Sequence, residues 1–147
     1  MDNARESAAS PLPVSTLPHS VWEAMARGLR GRCPRCESGS LFRKWLKPRS
    51  NCPACGLDLT PQQADDFPAY ISIFVTGHLL APVIIMLVRD YTLSAWQLAA
   101  ILLPLATAMM LAMLQPAKGG VISAQWWNGM HGFKRERLPE PGEEPQG

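Results

Sequence analysis

Two long uncharged apolar runs constrain this chain more than any other feature. No charged residue occurs in 67–88 or in 93–114. As α-helices these runs would each extend about 33 Å, enough to cross the hydrocarbon layer of a bilayer. Two buried core helices are the alternative, but a chain of 147 residues offers no other element large enough to cover them. Because only 89–92 separate the runs, the sequence predicts an antiparallel transmembrane hairpin.

Basic residues predict the orientation of this hairpin. Nine Lys and Arg residues precede the first run, one lies between the runs and four follow the second. Cytoplasmic segments carry the excess of basic residues, so we expect a multi-pass protein with both ends in the cytoplasm. The proline-interrupted N-terminus lacks the continuous apolar segment of a secretory signal.

The formal net charge of +2 does not by itself indicate a nucleic-acid binder. We therefore expect no nucleic-acid partner. The expected contacts are with the lipid bilayer and with a membrane-protein partner or a second copy of the chain.

Four cysteines predict a metal centre. Cys33, Cys36, Cys52 and Cys55 form two C-x2-C pairs separated by fifteen residues, a spacing typical of zinc sites. Each pair has proline after its first cysteine, and proline favours the tight turn that aims two sulfurs at one point. We expect Gly39 and Gly56 to suit the exits of these turns. A shell of four cysteines is closed, which indicates one structural zinc ion.

Other uses of the cysteines remain open. Two disulfides would require an oxidising compartment, which disagrees with a cytoplasmic location. Redox chemistry of a C-x2-C pair would require a βαβ context, which the short stretch between the pairs cannot supply. A rubredoxin-like iron centre uses similar turns, although its loop is usually longer. Around the metal, 40–46 and the alternating Leu57 and Leu59 predict short β-hairpins.

One ionisable residue lies near the middle of the first apolar run. His78 could serve as a proton relay or as a ligand for haem or copper, because such residues inside membranes are often functional. The alternative, which we favour, is a neutral imidazole bonded to Thr107 or Gln97 on the second helix. Pairs of small residues at 77 and 81 and at 108 and 112 predict close helix contact.

The remaining segments complete the predicted organisation. We expect disordered tails at 1–19 and 138–147, a helix and zinc ribbon at 20–62, the membrane hairpin at 63–115 and an interfacial segment at 116–137. The sequence 115–120 predicts an end to the second helix, and Trp126 and Trp127 suit the headgroup layer. The first helix, with a capping box at Ser20 and Glu23, could pack on the ribbon or place nearby arginines against anionic headgroups.

Several of these segments together resemble a known family. Residues 27–36, 52–57, 65–70 and 77–78 resemble the bacterial domain-of-unknown-function family nine hundred and eighty-three, although Phe67 stands where glycine is expected. The resemblance implies a two-helix membrane protein with a cysteine ribbon, located in the bacterial inner membrane. It also implies a link to respiratory-complex biogenesis, since relatives are often encoded near cytochrome c oxidase assembly genes.

Three functions agree with these patterns. A non-enzymatic membrane adaptor is favoured, because the sequence shows no pairing of nucleophile and base and no phosphate-binding loop. An electron carrier or metal handler would use iron at the cysteines or a cofactor at His78. A small transporter subunit would require oligomerisation, because two helices form no pathway alone.

Overall fold

A computed structural model describes residues 16–134 and 136. In chain order its elements are α1 (Val21–Leu29), β1 (Phe42–Lys44), β2 (Lys47–Pro48), α2 (Phe67–Asp90), α3 (Ala95–Asn128) and a 3-10 turn (Met130–Gly132). The antiparallel β1–β2 pair lies beside the cysteines, and the two long helices follow. The predicted fold class, a small cysteine ribbon followed by an antiparallel helical hairpin, is confirmed. The tail at 138–147 and most of the tail at 1–19 lie outside the described residues.

Local signals fix where the two long helices begin. Pro68 occupies the first turn of α2, where a missing N–H is tolerated because it has no intrahelical partner. Ser94 and Gln97 form a reciprocal capping box at the start of α3, which satisfies two otherwise unpaired amides. Helix α3 therefore begins two residues after the predicted start. Helix α2 begins at the predicted residue and extends two residues beyond the predicted 67–88.

The face of α2 that packs against α3 differs from the predicted one. Its buried residues are spaced four apart: Pro68, Ser72, Thr76 and Leu80. The Ser72 hydroxyl donates to the Pro68 carbonyl at 2.8 Å, which satisfies a polar group inside the contact. A Cβ added to Gly77 would meet nothing within 4 Å, and positions 81, 108 and 112 are also exposed. The small-residue pairs therefore do not form the intramolecular helix contact.

Both helices expose the side chains that a soluble core would bury. In the most apolar 18-residue window of each helix, only 17% of α2 and 0% of α3 is buried. The two helices are long and apolar enough to cross a membrane. Their exposure argues against the alternative of a soluble hydrophobic core.

The predicted end of the second helix at 115–120 is wrong. Helix α3 continues through Pro116, Gly119 and Gly120 to Asn128, a length of 34 residues or about 51 Å. Proline and glycine disfavour helix interiors by about 3 and 1 kcal/mol. Tertiary packing overrides that preference here, because the C-terminal part of α3 is buried against α1 and the ribbon. No separate interfacial segment begins at residue 116.

The end of α3 forms the centre of the ribbon's hydrophobic core. Trp126 is 1% exposed and Trp127 is 6% exposed, and both pack in one cluster with Leu41, Leu59 and the three buried cysteines. The expectation that these tryptophans lie in the headgroup layer is therefore wrong. Pro18 is also fully buried, which contradicts the predicted disorder at this residue.

Helix α1 packs on α3 through its smallest residues. Ala24 and Gly28 are buried, whereas Leu29 is largely exposed. Adding a Cβ to Gly28 would bring it into contact with the Gly119 carbonyl oxygen, and a Cβ on Gly119 would meet the Gly28 oxygen. Only glycine at both positions allows this close approach of the two backbones. Of the two uses predicted for this helix, packing is the one that the structure contains.

Candidate metal centre

Two turns of similar backbone structure hold the four cysteines, and the first is one residue longer than the second. The Cys33 amide donates to the Gly39 carbonyl, and the Cys52 amide donates to the Leu57 carbonyl. Isolated antiparallel bridges, Arg32–Ser40 and Asn51–Asp58, close the ends of the two turns. Each turn therefore projects its two sulfurs towards the other turn.

The sulfur geometry fits a tetrahedral metal ion. All four Sγ atoms lie within 4.8 Å of one another. The Cys33–Cys55 and Cys36–Cys52 sulfur pairs are separated by 3.8 and 3.7 Å. Zinc–sulfur bonds of about 2.3 Å place the corners of a tetrahedron about 3.8 Å apart. A disulfide would need about 2.05 Å. The arrangement therefore indicates a four-thiolate metal site, and its geometry alone does not distinguish zinc from another tetrahedral ion.

The pKa values of the cysteine thiols also favour a bound cation. A hydrogen bond from the Cys33 thiol lowers the pKa of Cys55 to about 5, and the same contact raises the pKa of Cys33 strongly. Burial raises the pKa of Cys52. Without a cation the cluster thus keeps protons on some sulfurs, because neighbouring thiolates repel each other. A metal ion bound here would replace those protons and hold all four sulfurs as thiolates.

Backbone amides supply part of the compensation for thiolate charge. The Cys36 amide donates to the Cys33 sulfur, and the Ala54 and Cys55 amides donate to the Cys52 sulfur. The Leu57 amide donates to the Cys55 sulfur. Gly39 lies directly against this cluster, because a Cβ there would collide with the Cys52 sulfur. Glycine is therefore required at residue 39 for space, rather than for the backbone conformation that the sequence suggested.

The residue that follows the second cysteine of each turn adopts the left-handed backbone conformation instead. Gly56 has a φ of +71°, as expected for an exit glycine, and Glu37 takes the equivalent place in the first turn with a φ of +59°. A left-handed conformation costs a non-glycine residue roughly 1–2 kcal/mol. The Glu37 carboxylate lies 3.4 Å from the Arg27 guanidinium, and this ion pair offsets part of that cost.

Arg27 ties α1 to the first cysteine turn, a role that sequence reasoning missed. Its guanidinium donates to the carbonyls of Thr16, Pro34 and Arg35 and forms a 2.6 Å ion pair with Glu23. The side chain is only 8% exposed. The i, i+4 spacing from Glu23 was the one signal in the sequence, and it did not reveal the contact with the turn. Arg27 is therefore unavailable to lipid headgroups.

Arg35 lies on the other side of the same turn. It donates to the Cys55 carbonyl at 3.4 Å and pairs with Glu136 at 2.8 Å. The two contacts connect both cysteine turns with the segment that follows α3.

His78 lies away from the cysteine cluster and on an exposed face of α2. Its Nδ1 is 2.8 Å from the Phe74 carbonyl, and its ring centroid lies 4.1 Å from that of Phe74. Thr107 donates to Leu103, and Gln97 bonds to Ser94, so the predicted bond between His78 and α3 is not formed. Within the described residues, the four cysteines are the one group that could hold a metal ion. A cofactor role for His78 remains a prediction.

Together, the fold and this site define a membrane-type protein that carries a zinc-ribbon-like metal centre. The chain belongs to the family described as "Protein of unknown function (DUF983)", which matches residues 42–126. This match confirms the family resemblance. It contains the second cysteine turn, α2 and all but the last two residues of α3, and the first turn precedes it. No curated protein and no solved structure matches the chain.

Proposed function

We propose that this protein is a non-enzymatic adaptor of the bacterial inner membrane. A structural zinc ion holds a cytoplasmic ribbon, and the transmembrane hairpin fixes that ribbon at the membrane surface. The ribbon would present a binding surface to a membrane-protein partner or to a second copy of the chain. A role around respiratory-complex biogenesis is the context that the family resemblance suggests for such an adaptor.

The continuous course of α3 is the observation that carries this proposal. The helix leaves the apolar span and enters the core of the ribbon without a break, where Trp126 is buried. Gln125 then forms two hydrogen bonds with the Gln63 backbone, which lies just before α2. A ribbon joined to its anchor by a flexible linker could explore many orientations. This ribbon is instead fixed to both membrane helices, as positioning a partner requires.

The chemistry of the cysteine cluster supports a structural rather than a catalytic metal. Four sulfurs at tetrahedral spacing complete the coordination of zinc, whereas catalytic zinc keeps one position open for water or substrate. Each cysteine turn is also held by backbone hydrogen bonds, as expected for a small domain that folds around its metal ion. These features favour a metal that stabilises a surface over one that performs a reaction.

Metal analysis tests the proposal against its main alternative, an iron-based electron carrier. The full chain should purify colourless with about one zinc per molecule, as expected for a closed four-thiolate site. A coloured protein with stoichiometric iron that undergoes reversible reduction would overturn the adaptor proposal. Cys36 is half-buried, so solvent access alone would not prevent such electron transfer. The control is the Cys52→Ser variant, which should lose whichever metal the wild type holds.

A further inference from the structure

A basic pocket opens between the end of α1 and the β1 strand. It has a volume of about 370 Å³ and is lined by four cationic residues, Arg30, Arg32, Arg43 and Lys44, with Ser38, Ser40 and Gln115 completing the wall. We call this group the basic pocket. Arg32, Arg43 and Lys44 take no part in the ion pairs of Arg27 and Glu37, so the structural roles assigned above do not explain this group.

The local fold brings these four cations together. Gly31 ends α1 with a φ of +71° and accepts the Leu41 amide at 2.9 Å, which turns the chain back on itself. Arg32 then pairs with Ser40 across an antiparallel bridge. In β1, Phe42 is buried and the next two residues are exposed. Because Phe42 holds the strand in the core, Arg43 and Lys44 remain exposed and line the pocket.

The positive charge of the basic pocket is largely uncompensated. Arg30 approaches Glu37 at 4.0 Å, but both side chains are at least half exposed, so the pair contributes little. Between residues 16 and 134, no carboxylate forms an ion pair with Arg32, Arg43 or Lys44. Concentrated, unpaired guanidinium groups favour an anion with several oxygens, and phosphate matches the paired donors of arginine.

The position of the pocket relates it to the membrane surface. Gln115 directly follows the apolar run, and from Ala95 to Gln115 the helix rises about 30 Å, the thickness of the hydrocarbon layer. The turn between β1 and β2 carries Trp45, which is 51% exposed. Lys44 directly precedes this tryptophan, and Lys47 follows it by two residues. Tryptophan with basic neighbours is typical of segments that contact the headgroup layer.

We propose that the basic pocket binds an anionic phosphate group, carried by a phosphatidylglycerol headgroup or by free inorganic phosphate. The two sources share the same recognition chemistry, and Trp45 favours the lipid. This proposal does not depend on the adaptor function or on the identity of the metal. It assigns a ligand class to a surface that the cysteine centre leaves unused.

Native mass spectrometry of the full chain in a neutral detergent tests the proposal. Phosphatidylglycerol and phosphatidylcholine are added in equal amounts, with and without excess inorganic phosphate. The wild type should retain phosphatidylglycerol in clear preference to phosphatidylcholine. The double variant Arg32→Gln/Arg43→Gln should bind phosphatidylglycerol about 25-fold more weakly. Each cation removed near an anionic group should weaken binding about fivefold, and the variant removes two. Because both side chains are exposed, the variant should keep its metal, and its metal content is measured in the same samples.

The matched control is Arg89→Gln/Lys134→Gln, which removes the same charge from exposed positions outside the pocket. Its binding should change by less than about threefold, a loss smaller than that of a single pocket cation. Retention of phosphatidylglycerol in excess phosphate assigns the site to the lipid. Displacement by phosphate, with phosphate binding lost in the pocket variant alone, assigns it to the free anion. Equal retention of both lipids without phosphate binding, or equal losses in the two double variants, would overturn the proposal.

Discussion

Substituting Gly119 by alanine should separate α1 from α3 and destabilise the ribbon. A Cβ at residue 119 would contact the Gly28 carbonyl oxygen and lie 2.8 Å from the Gly28 carbonyl carbon, whereas ordinary contacts begin at 3.4 Å. The obstacle is backbone, so no side-chain rotation can relieve it. Overpacking of this kind costs about 1–3 kcal/mol, and we expect the upper part of that range.

Helix propensity opposes part of this loss. Alanine is about 1 kcal/mol more favourable than glycine inside a helix, which leaves a net destabilisation of about 1–2 kcal/mol. The matched control is Gly77→Ala in α2, because a Cβ there meets nothing within 4 Å. That variant gains the same propensity without a clash and should be as stable as the wild type or slightly more stable.

The assay follows metal release from detergent-solubilised protein during heating, read with a chromogenic chelator. A net loss of 1 kcal/mol lowers the Tm of a 60–100-residue domain by roughly 4–8 °C, so Gly119→Ala should release its metal about 4–16 °C below wild type. Gly28→Ala, on the opposite side of the contact, should behave similarly. If Gly119→Ala and Gly77→Ala released metal at the same temperature, the close crossing of α1 and α3 would be refuted.

Four further outcomes are expected. Arg27→Lys keeps the charge but loses donors to the turn carbonyls, so chemical unfolding should show a free energy of unfolding lower by about 2–3 kcal/mol. The exposed control Arg30→Lys should lower it by less than about 0.5 kcal/mol, and equal losses would contradict the role of Arg27 in holding the turn. Cys52→Ser should release the metal and make the ribbon protease-sensitive, while Ser38→Ala should do neither; a protease-resistant metal-free ribbon would argue against folding on the metal. Thr92→Cys should react with an impermeant thiol reagent added outside intact cells, and reporters fused to both ends should score cytoplasmic; protection of Thr92→Cys would reverse the orientation. His78→Asn should preserve accumulation and complementation, because an amide retains hydrogen bonding; normal accumulation with lost function would assign chemistry to His78 and favour a metal or proton role.

The sequence by itself determined the features that depend on nearby residues. The spacing and prolines of the two cysteine pairs are properties of short turns, and they were enough to predict which four sulfurs converge. Likewise, two uncharged runs of helical length were enough to predict the hairpin. The capping box of Ser94 and Gln97 is also a local signal, since it satisfies amides within the first turn of α3.

Only the tertiary structure decided the features that depend on contacts between distant segments. Pro116 and Gly119 are local signals for ending a helix, yet burial of Trp126 in the ribbon and the contact with Gly28 keep α3 intact. Arg27 resembled an exposed basic residue until the fold placed three carbonyls around it. The physical reason is the same in each case. The helix propensities of glycine and proline cost about 1–3 kcal/mol per residue, and contacts made by the shared core outweigh such local preferences.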